Sequence, residues 1–314
     1  MSQTKPRPVL FFLALLAPQV LIGAIMLWAG NNPHDYMLVI RDMHKVAKST
    51  HSPKIILTGG SSVCFGSNSE IFSKECHLPC INLGVVAGQG LDFRFNEAGY
   101  CIESGDIVVL TLEYYDFGEN PDGRIIAMTI AHCPECSRFM SWREWRCLLD
   151  EGIFGLLADR TKNAVLRLSG NSVENDIYDV RNFNEVGDFV GHRDKESESK
   201  NWGVVVPKDV SESTLALAKF LNAADQVGAK VFYRLPCIPR RFVENKMPEL
   251  RVIESKLNRM FGDRMLNELD ETLMDDEVFF DTSYHLNWSE RNRQSEIVAK
   301  RLAEKLRSPN ETKN

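Results

Sequence analysis

Residues 54–62 read Lys54-Ile55-Ile56-Leu57-Thr58-Gly59-Gly60-Ser61-Ser62. A short apolar, β-branched run halted by two glycines has the pattern of a buried parallel strand that ends in a turn. Working outward, the same pattern recurs at Cys80-Ile81-Asn82-Leu83, Asp106–Leu112, Lys230–Leu235 and Glu277–Phe280. Helical spacing separates these runs over Ser69–Glu75, Leu91–Ser104, Ser211–Val227, Pro248–Met260 and Ser289–Leu306. The third of these intervals is punctuated as expected of a helix, with a serine at the start of Ser211–Val227 and Gly228 as its stop. The last is amphipathic, with Ile297, Val298, Leu302 and Leu306 on one side. Strands and helices alternating at βαβ spacing predict an α/β fold around a mostly parallel, doubly wound sheet.

Residues 118–210 interrupt this alternation and read as a helical insertion between the third and fourth strands. Within it Ser141–Leu168 carries Trp142, Trp145, Leu148, Leu149, Ile153 and Leu156 at helical spacing, whereas Asn171–Asn201 is polar and reads as an exposed excursion. The tryptophans Trp142, Trp145 and Trp202 are expected in core packing, with a sugar-binding groove as the other use. Residues 31–52 read as a linker or a short helix. The predicted organisation is therefore a leading segment (1–30), a linker (31–52), the α/β body (53–308) and a tail (309–314).

With 314 residues, 44% hydrophobic and 25% charged, the chain can bury one large core or two modest ones. Its net charge of −6 and pI near 5.7 exclude a nucleic-acid-binding surface, which needs a concentrated basic face.

The leading segment is distinctive. Val9–Ala29 runs without a charge, and as a helix it would extend about 31 Å, close to the thickness of a bilayer's hydrocarbon. Lys5 and Arg7 precede it, and the next basic residue is Arg41. This asymmetry predicts a single-pass membrane helix with a cytoplasmic N-terminus and an exported body. A cleaved signal peptide competes with the anchor, against a run longer than the usual apolar core and a poor cleavage site at Trp28-Ala29-Gly30.

Eight cysteines include two close pairs, Cys76 with Cys80 and Cys133 with Cys136. In an oxidising compartment such pairs form local or bridging disulfides, or stay as thiols. A four-thiolate zinc site is the sharper alternative that both spacings allow.

In open parallel sheets the sites gather at the carboxyl ends of the strands. Four features fall there together: Ser61-Ser62, the glycine turn Gly84–Gly90, Glu113-Tyr114-Tyr115-Asp116, and Asp281 with His285. A serine hydroxyl is a weak nucleophile until a base takes its proton, and histidine suits that task near neutral pH. A carboxylate then has to orient the imidazole. Asp281 and His285, four residues apart, are placed to form that half of a triad.

Gly60-Ser61-Ser62-Val63-Cys64-Phe65-Gly66 resembles the first block of SGNH (GDSL-type) hydrolases, with Ser62 at the nucleophile position. Asp281–Asn287 is similar to that superfamily's last block in the form found in members linked to cell-surface polysaccharides. Asn82–Gly88 resembles the second block, whose glycine amide lines the oxyanion hole. The resemblance covers the core strands, about half the chain, and leaves out residues 118–210. It implies a flavodoxin-like three-layer α/β/α fold and acyl transfer through a serine ester, with no metal or cofactor. The implied partners are an acylated glycan or small ester and the machinery of polysaccharide biosynthesis, with acetyl the expected acyl group and water or a sugar hydroxyl the acceptor. By the same resemblance Ser62 attacks, His285 moves the proton, Asp281 orients His285, and the amides of Ser62 and Gly88 steady the oxyanion, with Gly84 the alternative glycine. Two departures stand out. The third block, which normally offers an asparagine to the oxyanion, here reads Leu112-Glu113-Tyr114-Tyr115-Asp116, leaving Tyr114, Tyr115, Asn82 or Gln89 to substitute. Arg291 stands where related chains often have glycine. The altered third block makes a catalytically impaired accessory protein the rival expectation.

Overall fold

The computed structural model describes residues 8–118, 121–171, 177–197 and 203–307. Its centre is a four-stranded, wholly parallel sheet of β1 (Ile55–Gly59), β2 (Cys80–Asn82), β3 (Ile107–Thr111) and β4 (Lys230–Tyr233), in the order β2-β1-β3-β4. Two further short strands, β5 (Ile238–Pro239) and β6 (Leu273–Met274), pair in parallel apart from it. The helices of the first half are α1 (Pro8–Ala29), α2 (Val39–Ser49), α3 (Ser61–Gly66), α4 (Ser69–Cys76), α5 (Leu91–Cys101) and α6 (Gly123–His132). Those of the second half are α7 (Trp142–Cys147), α8 (Ile153–Leu168), α9 (Ser211–Val227), α10 (Met247–Phe261), α11 (Leu269–Thr272) and α12 (Trp288–Arg307).

Successive side chains of a strand point to opposite faces, and the core divides accordingly. Ile56, Val108 and Leu110 face a large cluster with Met43 of α2, Phe93 of α5 and Leu217 of α9. Ile55, Leu57, Ile107 and Val109 face a second cluster with Phe72 of α4 and Val298, Ala299 and Leu302 of α12. The sheet is therefore covered by helices on both faces, which is why its strands read as nearly continuous apolar runs. At the amino end, Lys54 Nζ meets Asp106 Oδ2 at 2.9 Å with both side chains fully buried. Asp106 Oδ1 also accepts from the Lys54 N–H at 3.0 Å, so the buried carboxylate is satisfied on both oxygens. The strand order reverses between β1 and β3, and the carboxyl ends there are left for the site.

Several expectations need correction. Glu277–Phe280 is not a sheet strand: Asp276–Val278 is a 3-10 turn, and Phe279 makes one antiparallel bridge to Leu286. The Phe280 N–H goes to the His285 carbonyl at 2.7 Å, which folds the chain back on itself in place of extending the sheet. Of the two readings of residues 31–52 the short helix holds and the free linker does not, since α2 buries Val39, Ile40, Met43 and Ala47 in the large cluster. The helix expected over Ser141–Leu168 is broken by a π turn at Leu148–Gly152. Trp142 and Trp145 are 76% and 39% exposed and pack in no core, while Trp202 lies outside the described residues. The polar stretch read as an exposed excursion buries Asp179, Asp188, Phe189 and His192: Asp188 bonds Ser69 and Asn82 of the body, and His192 packs among aromatic rings.

The expected membrane span coincides with α1, whose Leu16, Val20, Leu21, Ile22 and Ile25 are exposed. The side chains of residues 9–15, 26 and 27 lie outside the described ones, as do residues 1–7 and the tail 308–314. Among the described residues no helix is long and apolar enough to cross a membrane.

Candidate active site

The carboxyl end of β1 turns directly into α3, a six-residue helix that carries Ser62 and, one turn later, Phe65. The two glycines of the opening sequence are there for close approach. A β-carbon at Gly60 would sit 2.8 Å from both the Ala87 β-carbon and Glu113 Oε1, so the second and third blocks are packed against it. One at Gly84 would lie 2.5 Å from the Val63 β-carbon. The far end of α3 is held by two arginines: Arg234 Nη1 donates to the Gly66 carbonyl at 2.9 Å, and Arg291 Nε to the Ser67 carbonyl at 2.6 Å. Cations at a helix C-terminus satisfy carbonyls that the helix itself leaves unpaired. Arg291 also donates to the Phe189 carbonyl at 2.6 Å, with its guanidinium 4.7 Å from the Trp288 ring centroid. Arg291, which stands where the resemblance leads one to expect glycine, thus clamps the Ser62 helix to the insertion.

Half of the expected triad is in place. His285 Nδ1 lies 2.7 Å from Asp281 Oδ1, and the Tyr178 hydroxyl donates to Asp281 Oδ2. The imidazole stacks flat on Phe65, with centroids 3.9 Å apart and an interplanar angle of 3°. Because Phe65 follows Ser62 by three residues on α3, this places His285 over the serine's helix. The second half is not closed: Ser62 Oγ is buried and makes no hydrogen bond among the described residues, so His285 does not engage it in this arrangement.

The groups expected to serve as oxyanion donors are mostly committed elsewhere. Glu113 Oε1 accepts from the Ser62 N–H at 2.8 Å and from Ser61 Oγ at 3.2 Å. Its carboxylate and Asp116 also cap each other's backbone N–H groups reciprocally. The Gly84 N–H donates to Asn82 Oδ1 at 2.9 Å, and Asn82 Nδ2 to Asp188 Oδ1 at 3.0 Å, which removes both Gly84 and Asn82 as donors. Gln89 Nε2 is spent on Thr129 Oγ1 at 3.1 Å. Gly88 takes a left-handed φ of 87°, its carbonyl accepts from the Asp122 N–H at 2.7 Å, and a β-carbon on it would face Asp122 and Ile125. Tyr114 is buried among Glu254, Cys237, Thr272 and Arg251, a different neighbourhood from that of Ser62. Tyr115 feels Asp116, Glu113, Arg94 and Tyr284, and of the two tyrosines it is the one beside the third-block carboxylates.

Among the displaced titrations here, those of Glu113 and His192 bear most on the site. Burial, with the Asp116 charge beside it, pushes the Glu113 carboxyl up to about 7 against the opposing hydrogen bonds and the Arg94 charge. Burial, helped by Arg291 and His285, pushes His192 down to about 3. His192 packs within 5.1–5.6 Å of the rings of Phe65, Phe280, Phe189 and Trp288, and neither ring nitrogen has a partner among the described residues. Tyr178, Asp188 and His192 were missed by sequence reasoning. They stand in a polar segment with no periodicity, and no signal in the sequence points to them.

A cleft of about 290 Å³ opens beside Asp116, lined also by Asp92, Glu144, Arg143 and Glu212, and its lining includes neither Ser62 nor His285. Cys133 and Cys136 form a disulfide, and Cys76 and Cys80 are free thiols, Cys76 donating to the Ala299 carbonyl at 3.7 Å. The four-thiolate zinc alternative is therefore overturned. Among the described residues, metal-ligating atoms come together at His44, Cys133 and Cys136, but the disulfide takes both sulfurs and His44 Nε2 sits 2.8 Å from Glu97 Oε1. No protein-family model matches the chain, and no curated protein matches it in sequence.

Proposed function

We propose that the chain is a serine-dependent acyl-transfer protein of SGNH type, removing or transferring an acyl group, in the first instance acetyl, on an envelope or extracellular glycan. The observation that carries this reading is the Asp281–His285 pair at 2.7 Å, stacked on the helix that presents Ser62. The strand order 2-1-3-4, with its reversal beside β1, supports the flavodoxin-like, SGNH-type arrangement to which these residues belong. In the reaction Ser62 Oγ attacks the ester carbonyl while His285 Nε2 takes its proton. The tetrahedral adduct collapses to an acyl-serine, and the departing sugar oxygen receives that proton. Water or a second sugar hydroxyl then reverses the steps. Ser62 Oγ has to turn toward His285 for this, and no hydrogen bond opposes the rotation.

The uncharged Val9–Ala29 stretch within α1 supports a membrane anchor with the body on the extracytoplasmic side, where the Cys133–Cys136 disulfide fits the redox conditions. The glycan substrate and polysaccharide-assembly partners rest on the resemblance alone. A second reading, a non-catalytic accessory protein with the same fold, is favoured by one observation: the Ser62 N–H already donates to Glu113. Hydrolysis of an aryl acetate and of an acetylated oligosaccharide by the full chain, with Ser62→Ala and His285→Ala as controls, separates the two. Turnover lost in both variants supports the acyl-transfer reading, and turnover no greater than that of Ser62→Ala, in wild type and in a Glu113→Ala variant alike, overturns it.

A further inference from the structure

The amide that should receive the oxyanion has one hydrogen, and Glu113 holds it. In serine acyl transfer the nucleophile's own N–H is aimed at the place where negative charge develops. Here that place is taken by Glu113 Oε1, 2.8 Å from the Ser62 nitrogen. The carboxylate is no stray rotamer. Ser61 Oγ donates to it at 3.2 Å, the Asp116 backbone N–H donates to it as well, and the missing β-carbon of Gly60 leaves it just enough room. A negative oxygen seated there also repels the oxyanion that would have to share the donor.

We propose that Glu113 is a latch on the acyl-transfer site: while its carboxylate accepts from the Ser62 N–H the oxyanion hole is closed, and the site becomes competent when that bond is given up. This rests on the acyl-transfer reading above and names how that site is regulated. The charged and titratable groups around the latch come from four elements. Ser61 and Ser62 of α3 donate to it, Arg94 of α5 lowers its proton affinity, and Asp116 of the following turn raises it. From the last block, Tyr284 lies close enough for Glu113 to raise its own titration. Arg94 does not release the latch, because its Nη1 donates to the Gly59 carbonyl and its Nη2 to the Val86 carbonyl at 3.2 Å. Protonation weakens the bond without breaking it, since a neutral carboxyl is a poorer acceptor than a carboxylate. The latch is therefore tightest above neutral pH.

The test is the rate at which a fluorophosphonate labels Ser62 in the full chain between pH 6 and 9. In that step the Oγ–phosphorus bond forms, fluoride leaves, and the serine proton passes through His285 to solvent. Glu113→Ala vacates the slot, whereas Glu113→Gln keeps the shape and an acceptor oxygen but removes the charge. At pH 8 we expect Glu113→Ala to label about tenfold faster than wild type or more, given that one oxyanion donor is worth about 10²–10³ in rate. Glu113→Gln should fall between the two, and the wild-type deficit should shrink below pH 7. Labelling in both variants no faster than wild type, in protein that still melts cooperatively, overturns the latch, as does a deficit that does not change with pH. No Ser62-dependent labelling in any form, Glu113→Ala included, overturns the acyl-transfer reading itself and the latch with it.

Discussion

Arg291 of the last helix donates through Nε to the carbonyl of Ser67, 224 residues away in sequence, at 2.6 Å, and so closes the helix that carries the candidate nucleophile. The same guanidinium lies 3.5 Å from Asp188, and both side chains are about 1% exposed. Asp188 in turn accepts from the Ser69 N–H, Ser69 Oγ and Asn82 Nδ2 at 2.8–3.0 Å. One buried ion pair thus ties together the first block, the second block, the insertion and the last helix.

Removing one partner of a buried pair leaves the other charge uncompensated, which typically costs about 3–5 kcal/mol. Arg291→Ala should therefore lower the unfolding free energy in urea by that order. Replacement of the pair together, Arg291→Met with Asp188→Asn, should cost less than Arg291→Ala alone. A loss under about 1 kcal/mol for Arg291→Ala would remove the clamp from the account.

His192 should make the fold acid-sensitive. Its folded proton affinity lies below the unfolded one, with values of about 3 and 6.5, so between those pH values the unfolded chain binds more protons. Its contribution is fully present above 6.5 and is lost as pH falls toward 3, at up to about 1.4 kcal/mol per pH unit. His192→Phe, which fits the aromatic surroundings, should flatten thermal stability between pH 6.5 and 4. An unchanged slope in that variant would contradict the buried neutral imidazole.

Glu113 should act in the opposite sense. An acid whose folded pKa is raised, here from 4.5 to about 7, gives stability that is present below 4.5 and declines as pH rises through 7. Differential scanning calorimetry of Glu113→Gln should show a smaller loss than wild type between pH 4.5 and 7.5. The comparison reads the buried carboxyl directly, whatever the chain's catalytic ability.

Tyr178→Phe removes the hydroxyl that donates to Asp281. Hydrogen bonds to charged groups contribute about 1.5–3 kcal/mol, so a loss of that order is expected in urea unfolding. On the acyl-transfer reading, Ser62-dependent turnover should fall with it, because Asp281 loses one of the contacts that orient it toward His285. A variant as stable and as fast as wild type would show the hydroxyl to be incidental.

The sheet was largely legible before the structure. β1 to β4 occur where the apolar runs predicted them, and α9 occupies Ser211–Val227 as read, because short β-branched runs and helix punctuation are local signals. Asp281 and His285 were legible for the same reason: four residues apart in one turn, they meet without help from the rest of the chain. The strand predicted at Glu277–Phe280 failed because the Phe280 N–H found a closer acceptor in its own loop.

The sequence by itself determined a parallel α/β body, the glycines at the end of β1, and a histidine paired with an acid. Only the tertiary structure decided what surrounds them. Glu113 reaches the Ser62 amide, Tyr178 reaches Asp281, and His192 packs beside Phe65 because burial brings together groups 51, 103 and 127 residues apart. Most buried polar groups take a partner, and which neighbour is available depends on how the layers pack, not on what lies next to it in the chain.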